Sequence, residues 1–325
     1  LMAPEDTPPT ADPGPQAVLI VTPLFHVTAT HPMFLQSLPL GAKIVLLHKW
    51  DPQEAVRVIE KEKITRFFGV PTQSADLMNA AQNMGIPLDG LQYIGSGGAK
   101  RPAAQVGQLN KTFPNAVLAS GWGMTETNAV GIGIAGPDYC DKPGSAGRLM
   151  PPLQDLRMLD DNGTEVPLGE IGEITVKSPA NMRCYLNKPE ATAEVFQDGW
   201  LRTGDLGRMD EDGYMFITGR LKELIIKGGE NIAPREIDDA LYAHPDVVEA
   251  AAFACDCERY GQRIEAGVML KSGSLLSPDD LIALCRERLG AFKCPDKVHV
   301  FAELPKGPSG KIQRLKLAEM AEPSG

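Results

Sequence analysis

Short apolar runs alternate with amphipathic segments through the first third of the chain, and this alternation limits the fold more than any other feature. Ala17–Thr22 and Lys43–Leu47 are predicted to be buried strands. Between the second of these and the next apolar run, 66–68, Asp51 is predicted to cap a helix whose first residue is Pro52. Strands separated by helices predict a largely parallel sheet covered by helices, with ligands outside the carboxyl ends of the strands.

The alternation continues to about residue 120. Two further strands and two further helices are predicted, at Tyr93–Gly95 and Val117–Ser120 and at Pro71–Asn83 and Pro102–Thr112. Both strands lead into glycine-rich segments, 95–100 and 121–127, which we expect to be loops that face a ligand.

The pattern changes at about Gly144, where short β-type runs are separated by glycine and proline. Such runs predict an antiparallel β subdomain over about 144–219. After Arg220 the residues predict a compact α+β unit, with Gly228-Gly229 as a hairpin turn and Ser277 as the cap of a helix. The sequence therefore predicts an α/β protein with domains at 1–219 and 220–325.

The composition excludes several classes of protein. The formal net charge of −10 argues against nucleic acid as a partner and against tight binding to anionic membranes. No run reaches the ~18 consecutive apolar residues of a membrane span. The six cysteines form no CxxC pair, which favours reduced thiols over a disulfide framework or structural zinc. We therefore expect a cytoplasmic protein with no membrane span.

The segment 121–127, Gly-Trp-Gly-Met-Thr-Glu-Thr, carries groups that suit a nucleotide. Gly121 and Gly123 allow a ligand to approach the backbone closely, and Trp122 has a flat face on which a base could stack. Thr125 has a hydroxyl for a phosphate, and Glu126 has a hard oxygen for Mg²⁺. An ordinary glycine-rich turn would have the same sequence, so the motif alone decides nothing.

Three further segments each have a functional and an ordinary interpretation. Gly97, Gly98 and Ala99 could line a nucleotide pocket with free N–H groups or form a simple connector. Asp205, which follows a glycine, could accept both hydroxyls of a ribose or only close a β-turn. Arg220 could meet ribose or phosphate oxygens or be a solvated linker charge.

The segment 305–311, Pro-Lys-Gly-Pro-Ser-Gly-Lys, is a shaped loop because its prolines and glycines leave it few conformations. Lys311 at its end is a point charge suited to an anion that develops at a phosphate or a carboxylate. Most lysines lie exposed on the surface without such a role.

In this order, the five segments resemble the motifs of the adenylate-forming superfamily, which contains acyl-CoA synthetases, coumarate ligases, luciferases and peptide-synthetase adenylation domains. The resemblance covers essentially the whole chain. It implies that ATP and a carboxylate give an acyl-adenylate and pyrophosphate, after which a thiol, usually coenzyme A, displaces AMP. It also implies that 1–219 is an incomplete AMP-binding domain, the second half of an α/β N-terminal domain, and that 220–325 is a small mobile lid domain.

The resemblance implies a role for each matching residue. A nucleotide-binding position is implied for Gly97, Gly98, Ala99, Gly121, Trp122, Gly123, Asp205, Ile217 and Arg220. Trp122 stands where the family usually has tyrosine. Thr125 would touch the α-phosphate, Glu126 would bind Mg²⁺, Lys311 would bridge the carboxylate and the α-phosphate, and His26 would lie beside the acyl site. Lys222 is the implied hinge, and Gly228 and Gly229 are implied to meet coenzyme A.

The sequence departs from the family in two places. The family has a Ser/Thr/Gly-rich loop ending in Pro-Lys-Gly that holds the β- and γ-phosphates, and the 325 residues do not contain it. We therefore expect a fragment with weak or no adenylation activity alone, for which an upstream fragment or a second copy of the chain is a candidate partner. Ile226 stands where many relatives have lysine, so no second-step lysine is assigned there or to Lys227.

Four functions stay open at this point. The first is an acyl-CoA ligase for a fatty or other apolar acid, which the Phe25-His26 segment and the hairpin at Gly228 resemble most. The second is a peptide-synthetase-like adenylation enzyme. The third is a luciferase-like or acyl-AMP-forming enzyme. The fourth is a non-catalytic fragment that binds a nucleotide or a partner, and its only support is the missing phosphate loop.

Overall fold

The computed structural model describes residues 15–99, 101–149 and 153–321. Two compact units divide the chain. The first comprises Leu1–Leu156, Val176–Leu201 and Met209–Phe216, and the second comprises Arg157–Thr175, Arg202–Arg208 and Ile217–Gly325. The division into domains 1–219 and 220–325 stays a prediction. Lys100, the last residue of the expected loop 95–100, lies outside the described residues.

A seven-stranded sheet belongs to the first unit. Its strands are β1 (Ala17–Ile20), β2 (Lys43–Leu46), β3 (Arg66–Gly69), β4 (Tyr93–Ser96), β5 (Val117–Trp122), β6 (Ile132–Ala135) and β7 (Arg148–Leu149). The order is β2-β1-β3-β4-β5-β6-β7; the pairs from β2 to β5 are parallel, and β6 and β7 pair antiparallel. The prediction of a largely parallel sheet is therefore confirmed.

Among the described residues of the first unit, six α-helices accompany this sheet. They are α1 (Val27–Ala29), α2 (Pro52–Glu62), α3 (Pro71–Met84), α4 (Ala103–Thr112), α5 (Pro137–Asp141) and α6 (Pro189–Val195). Asp51 caps α2 as predicted, because its Oδ1 accepts a hydrogen bond from the Glu54 N–H at 2.9 Å.

One face of the seven-stranded sheet packs into the main core. Phe67, Ile94 and Leu118 from β3, β4 and β5 are buried in one hydrophobic cluster with Val56 and Leu77 of the helices. Because successive side chains of a strand point to opposite faces, the residues beside them in each strand lie on the other face.

Strand β5 extends beyond its predicted end at Ser120. Gly121 and Trp122 pair with Gly133 and Ile132 of β6. The prediction that a loop begins at Gly121 is therefore wrong, because an antiparallel neighbour continues the ladder past Ser120.

A second sheet contains β8 (Asp155–Leu159), β9 (Gly172–Lys177), β10 (Phe196–Gln197), β11 (Trp200–Met209) and β12 (Met215–Arg220). Its order is β10-β11-β9-β8, with β12 beside β11. Arg148–Leu149 falls within the β subdomain predicted over about 144–219 but pairs with β6 in the seven-stranded sheet. The bounds of that subdomain stay a prediction.

A third sheet, of five strands, lies wholly in the second unit. Its strands are β13 (Ile225–Lys227), β14 (Glu230–Ile232), β15 (Val247–Cys257), β16 (Gly261–Leu270) and β17 (Lys297–Val300), and its helices are α7 (Pro234–Tyr242), α8 (Pro278–Lys293) and α9 (Arg314–Ala321). The order is β14-β13-β16-β15, with β17 beside β16.

Two local predictions in this part are confirmed. Gly228 and Gly229 join β13 to β14 with φ values of 60° and 88°, the left-handed conformation of a tight hairpin turn. Ser277 caps α8, because its Oγ accepts a hydrogen bond from the Asp280 N–H at 3.2 Å. Within the part of the chain that the structure describes, no helix combines the length and the apolar character needed to cross a membrane.

Candidate functional site

A cavity of about 420 Å³ lies in the first unit. Its wall includes the predicted nucleotide residues Gly97, Gly98, Gly121, Trp122 and Gly123, so the structure brings these two glycine-rich segments together. A Cβ on Gly97 would lie 3.2 Å from Phe68 Cζ, and one on Gly123 would lie 2.9 Å from the Ala129 carbonyl oxygen. A side chain at position 123 would therefore collide with backbone, whereas one at position 97 would require the Phe68 ring to move slightly. Ala99 is exposed and does not belong to the wall.

The segment that follows His26 forms another wall of the cavity. Thr30–Leu35 is a π-helix, a rare conformation that often occurs at functional sites. Val27, Thr28, His31, Pro32 and Met33 contribute to the lining. His26 itself caps α1, since its Nδ1 accepts a hydrogen bond from the Thr28 N–H at 3.2 Å. Its role beside the acyl site stays a prediction.

Glu126 lies in a 3₁₀ helix, Thr125–Thr127. Two hydrogen bonds join it to the segment that precedes α6. Its Oε1 accepts a hydrogen bond from the Tyr185 hydroxyl at 2.9 Å, and its carbonyl oxygen accepts one from the Met182 N–H at 2.7 Å. Burial, and then the hydrogen bond to the Glu126 carboxylate, raise the pKa of Tyr185 to about 12, so the phenol stays a donor. Thr125 is exposed.

The Glu126 carboxylate fits a Mg²⁺ ion that is held mainly by phosphates. Magnesium is commonly bound by one or two carboxylates together with substrate phosphates and water. Among the described residues, no group of three or more His, Cys, Asp and Glu side chains could hold a metal ion without such a ligand.

Asp205 belongs to the second unit and is 3% exposed. Its Oδ1 accepts a hydrogen bond from Arg220 Nε at 2.7 Å. The alternative interpretation, that Asp205 only closes a β-turn, is wrong, because Gly204 and Asp205 both lie within β11. Gly204 has a φ of 70°, which bends the strand at this point without ending it.

The loop that ends at Lys311 is closed by its own backbone. Gly307 N–H donates to the Lys311 carbonyl at 2.8 Å, and Gln313 N–H donates to the Pro305 carbonyl at 2.8 Å. Lys306 pairs with Glu249 of β15 at 2.8 Å. The prediction of a shaped loop is confirmed, and the loop is attached to the sheet behind it.

Lys311 lies in the electrostatic field of the predicted ribose residues. Burial lowers its pKa, and the positive charges of Arg220 and Arg235 lower it further, against the opposing charges of Asp205 and Glu223. The structure therefore brings Lys311, Asp205 and Arg220 into one cluster, although 106 residues separate Asp205 from Lys311.

Arg235 is a member of this cluster that sequence reasoning missed. Burial lowers its pKa, and the nearby carboxylates of Asp205 and Glu223 oppose that shift. Its only sequence signal is its position after Pro234, which opens α7. An arginine in the first turn of a helix does not by itself indicate a functional site.

The remaining predicted residues of the second unit lie in ordinary surroundings. Ile217 is buried in β12, and Lys222 is exposed in the 3₁₀ helix Leu221–Glu223. Gly228 and Gly229 are exposed. Their roles as base contact, hinge and coenzyme A contact stay predictions.

The second-step position has no free lysine. Ile226 is half exposed, whereas Lys227 is buried and pairs with Asp296 at 3.1 Å.

Two protein-family models match this chain. The family described as AMP-binding enzyme matches residues 5–186, which is more than half of the chain. The chain belongs to this family. The family described as AMP-binding enzyme C-terminal domain matches residues 236–311, which contain most of α7, the third sheet from β15 onward and the loop of Lys311. The predicted membership of the adenylate-forming superfamily is thus confirmed.

Curated relatives of this AMP-binding enzyme are CoA ligases for different acids. A long-chain-fatty-acid–CoA ligase of Bacillus subtilis is 37% identical over 94% of this chain and 54% of its own length. A sulfoacetate–CoA ligase of Cupriavidus necator is 39% identical over 94% of this chain and 59% of its own length. The chain therefore spans a little over half the length of these relatives.

Solved structures show the same fold. An amide bond synthetase from Marinactinospora thermotolerans superposes with a TM-score of 0.84 at 29% identity, over 96% of this chain and 63% of that one. The o-succinylbenzoate CoA synthetase of Bacillus subtilis, solved with its acyl-adenylate intermediate, gives 0.79 at 29% identity, over 94% of this chain and 61% of that one.

Proposed function

We propose that this AMP-binding enzyme activates a carboxylic acid with ATP and Mg²⁺ and transfers the acyl group to coenzyme A. The observation that carries the proposal is the cluster of the second unit, where the partly buried Lys311 shares its surroundings with an ion pair between the buried Asp205 and the exposed Arg220. A partly buried cation near a carboxylate suited to ribose hydroxyls fits a nucleotide whose α-phosphate becomes more negative during reaction.

The proposed reaction has two steps. A carboxylate oxygen attacks the α-phosphorus of ATP, and the bond from that phosphorus to pyrophosphate breaks. The sulfur of coenzyme A then attacks the acyl carbonyl carbon, the bond to AMP breaks, and the thiol proton passes to solvent. Lys311 would offset the charge of the first step, where two anions meet. Glu126 would hold the Mg²⁺ that reduces the charge of the phosphates.

The acid is proposed to have an apolar body. Val27, Met33 and Phe68 line the cavity of the first unit, and the adjoining wall of glycines leaves room beside them. A relative that acts on long-chain fatty acids supports the same class. The six cysteines form no CxxC pair, which supports the proposed cytoplasmic location.

The test of the proposal compares the binding of two nucleotides, with and without the ribose 2′-hydroxyl, to the wild-type chain and to a variant of Asp205. We expect the wild-type chain to bind AMP on the order of tenfold more tightly than 2′-deoxy-AMP, because a charge-assisted hydrogen bond contributes about 1.5–3 kcal/mol. In Asp205→Asn this preference should fall to about twofold or less. Isothermal titration calorimetry measures both affinities.

Asp161→Asn is the matched control, since Asp161 is exposed in a turn of the same unit. It should keep the full preference for AMP. If Asp205→Asn weakens both nucleotides equally, Asp205 supports the structure only and the assigned ribose contact is wrong.

Transfer of the acyl group to an amine is a second candidate for the last step, favoured by the similarity to an amide bond synthetase. Coenzyme A discriminates the two. Release of AMP that does not increase with coenzyme A, and yields no thioester, would select the second candidate.

Replacing Tyr185 with phenylalanine is expected to weaken Mg²⁺-dependent ATP binding about tenfold, because groups that orient a metal ligand commonly change metal affinity by that much or more. AMP binding without Mg²⁺ should not change, since the hydroxyl contacts only the Glu126 carboxylate among the described residues. Calorimetry with and without Mg²⁺ measures the difference. Tyr260→Phe in the second unit is the control, and an equal loss of AMP and ATP affinity would contradict the role.

A further inference from the structure

We propose that the acid carries a second anionic group, a carboxylate at the far end of its apolar body, and that Arg66 binds it together with Tyr93. The inference rests on the proposed function, because it assumes that the cavity of the first unit holds the acid. It narrows the substrate class from apolar monocarboxylic acids to dicarboxylic acids.

Arg66 and Tyr93 are neighbours across two parallel strands. They are the first residues of β3 and β4 and lie opposite each other in the register. The guanidinium carbon of Arg66 lies 4.4 Å from the centroid of the Tyr93 ring. Both residues line the cavity. The ring thus holds the guanidinium in one place at the cavity wall.

Two polar atoms of described residues that line the cavity lack partners. The Tyr93 hydroxyl and His31 Nδ1 are buried without a hydrogen bond among the described residues. Burial raises the pKa of Tyr93 to about 12, against the opposing charge of Arg66, so the hydroxyl stays a donor. A buried donor without an acceptor is costly, and a bound oxygen anion would satisfy it.

The charge of Arg66 is also not balanced. Within the described ranges, no carboxylate forms an ion pair with Arg66, whereas Arg202 and Arg220 in the same chain each pair with one. The described residues that line the cavity include no Asp and no Glu. A cation without a counter-charge in a largely apolar cavity favours an anionic occupant.

The backbone of Arg66 lies at the amino end of β3, opposite the end at which the acid would react. Ligands in parallel sheets react beyond the carboxyl ends of the strands, where Gly97 and Gly121 line the cavity. The Tyr93 ring reaches from the amino end toward Gly95, where a Cβ would lie 2.7 Å from its Cε1. The inferred acid is therefore a dicarboxylic acid with an apolar spacer, and a matched series of analogues measures the length of that spacer.

Stable sulfamate analogues of the acyl-adenylate test the inference by binding. Three dicarboxylic analogues, adipoyl, suberoyl and sebacoyl, are compared with hexanoyl, octanoyl and decanoyl analogues of the same length. We expect wild type to bind at least one dicarboxylic analogue about tenfold to a hundredfold more tightly than its monocarboxylic match. In Arg66→Met the matched compounds should bind about equally.

Two further variants keep the result interpretable. Tyr93→Phe removes only the hydroxyl and should reduce the preference in part. Arg57→Met, at an exposed arginine of α2, should leave it unchanged. If neither AMP nor any analogue binds wild type, the proposed function fails. If AMP and the monocarboxylic analogues bind while no dicarboxylic analogue is preferred, or if the preference survives in Arg66→Met, the second-anion inference is overturned.

Discussion

Replacing Lys311 with alanine is expected to lower the rate of acyl-adenylate formation in the native enzyme by a hundredfold or more, as removal of a donor to a developing anion commonly does. Thioester formation from supplied acyl-adenylate should change by less than about threefold. The two steps should differ because an anionic carboxylate attacks an anionic phosphate in the first step, where a cation lowers the barrier. In the second step a thiol attacks the acyl carbonyl and AMP leaves. Pyrophosphate release and thioester formation measure the two steps separately.

The pH dependence of the first step provides a second measurement of the same role. Because the pKa of Lys311 is lowered, its ammonium loses the proton at a lower pH than an ordinary lysine. Adenylation should therefore decline as the pH rises through this lowered pKa, since only the charged form offsets the anion. The alanine variant has no such group and should lack this alkaline decline.

Lys316→Ala is the matched control for this variant. Lys316 is an exposed lysine of α9, five residues after Lys311, and its loss removes the same charge from the same region. Both half-reactions should stay at the wild-type rate. Equal losses of adenylation and thioester formation in Lys311→Ala would contradict the assignment.

Elements whose causes lie within a few residues could be predicted from the sequence. The caps at Asp51 and Ser277 and the hairpin turn at Gly228-Gly229 are of this kind, because each depends on a side chain or a φ value next to it. The family could also be predicted, because the five motifs and their order along the chain can be recognised without knowing how they pack.

Features that depend on distant residues could not be predicted. The extension of β5 to Trp122 requires β6 as an antiparallel partner. Strand β11 continues through Gly204, where a local glycine signal also allowed a turn. The Tyr185–Glu126 hydrogen bond and the position of Arg235 beside Lys311 likewise come from tertiary packing. No sequence spacing encodes such contacts.

Arg314 shows how packing supports the candidate site. It opens α9, three residues after Lys311, and donates to Asp238 of α7 at 2.6 Å and to the Ala252 carbonyl of β15 at 2.6 Å. Burial opposes its charge, yet Asp238 and Glu223 together raise its pKa. The arginine therefore fixes the end of the Lys311 loop to a helix and a strand.

Arg314→Met is expected to lower the free energy of unfolding by about 3–5 kcal/mol, because it leaves the largely buried Asp238 carboxylate without its cation. Urea unfolding, followed by circular dichroism, measures the change. Lys316→Met in the same helix is the control and should stay within about 0.5 kcal/mol of wild type.

A double variant, Arg314→Met/Asp238→Asn, separates the charge of Asp238 from its hydrogen bond. The amide oxygen of Asn can still accept a hydrogen bond from the Ala252 N–H, which in the wild type donates to Asp238 at 2.6 Å. Because no uncompensated charge remains, this variant should recover part of the loss; a double variant that is less stable than Arg314→Met would contradict the ion-pair explanation.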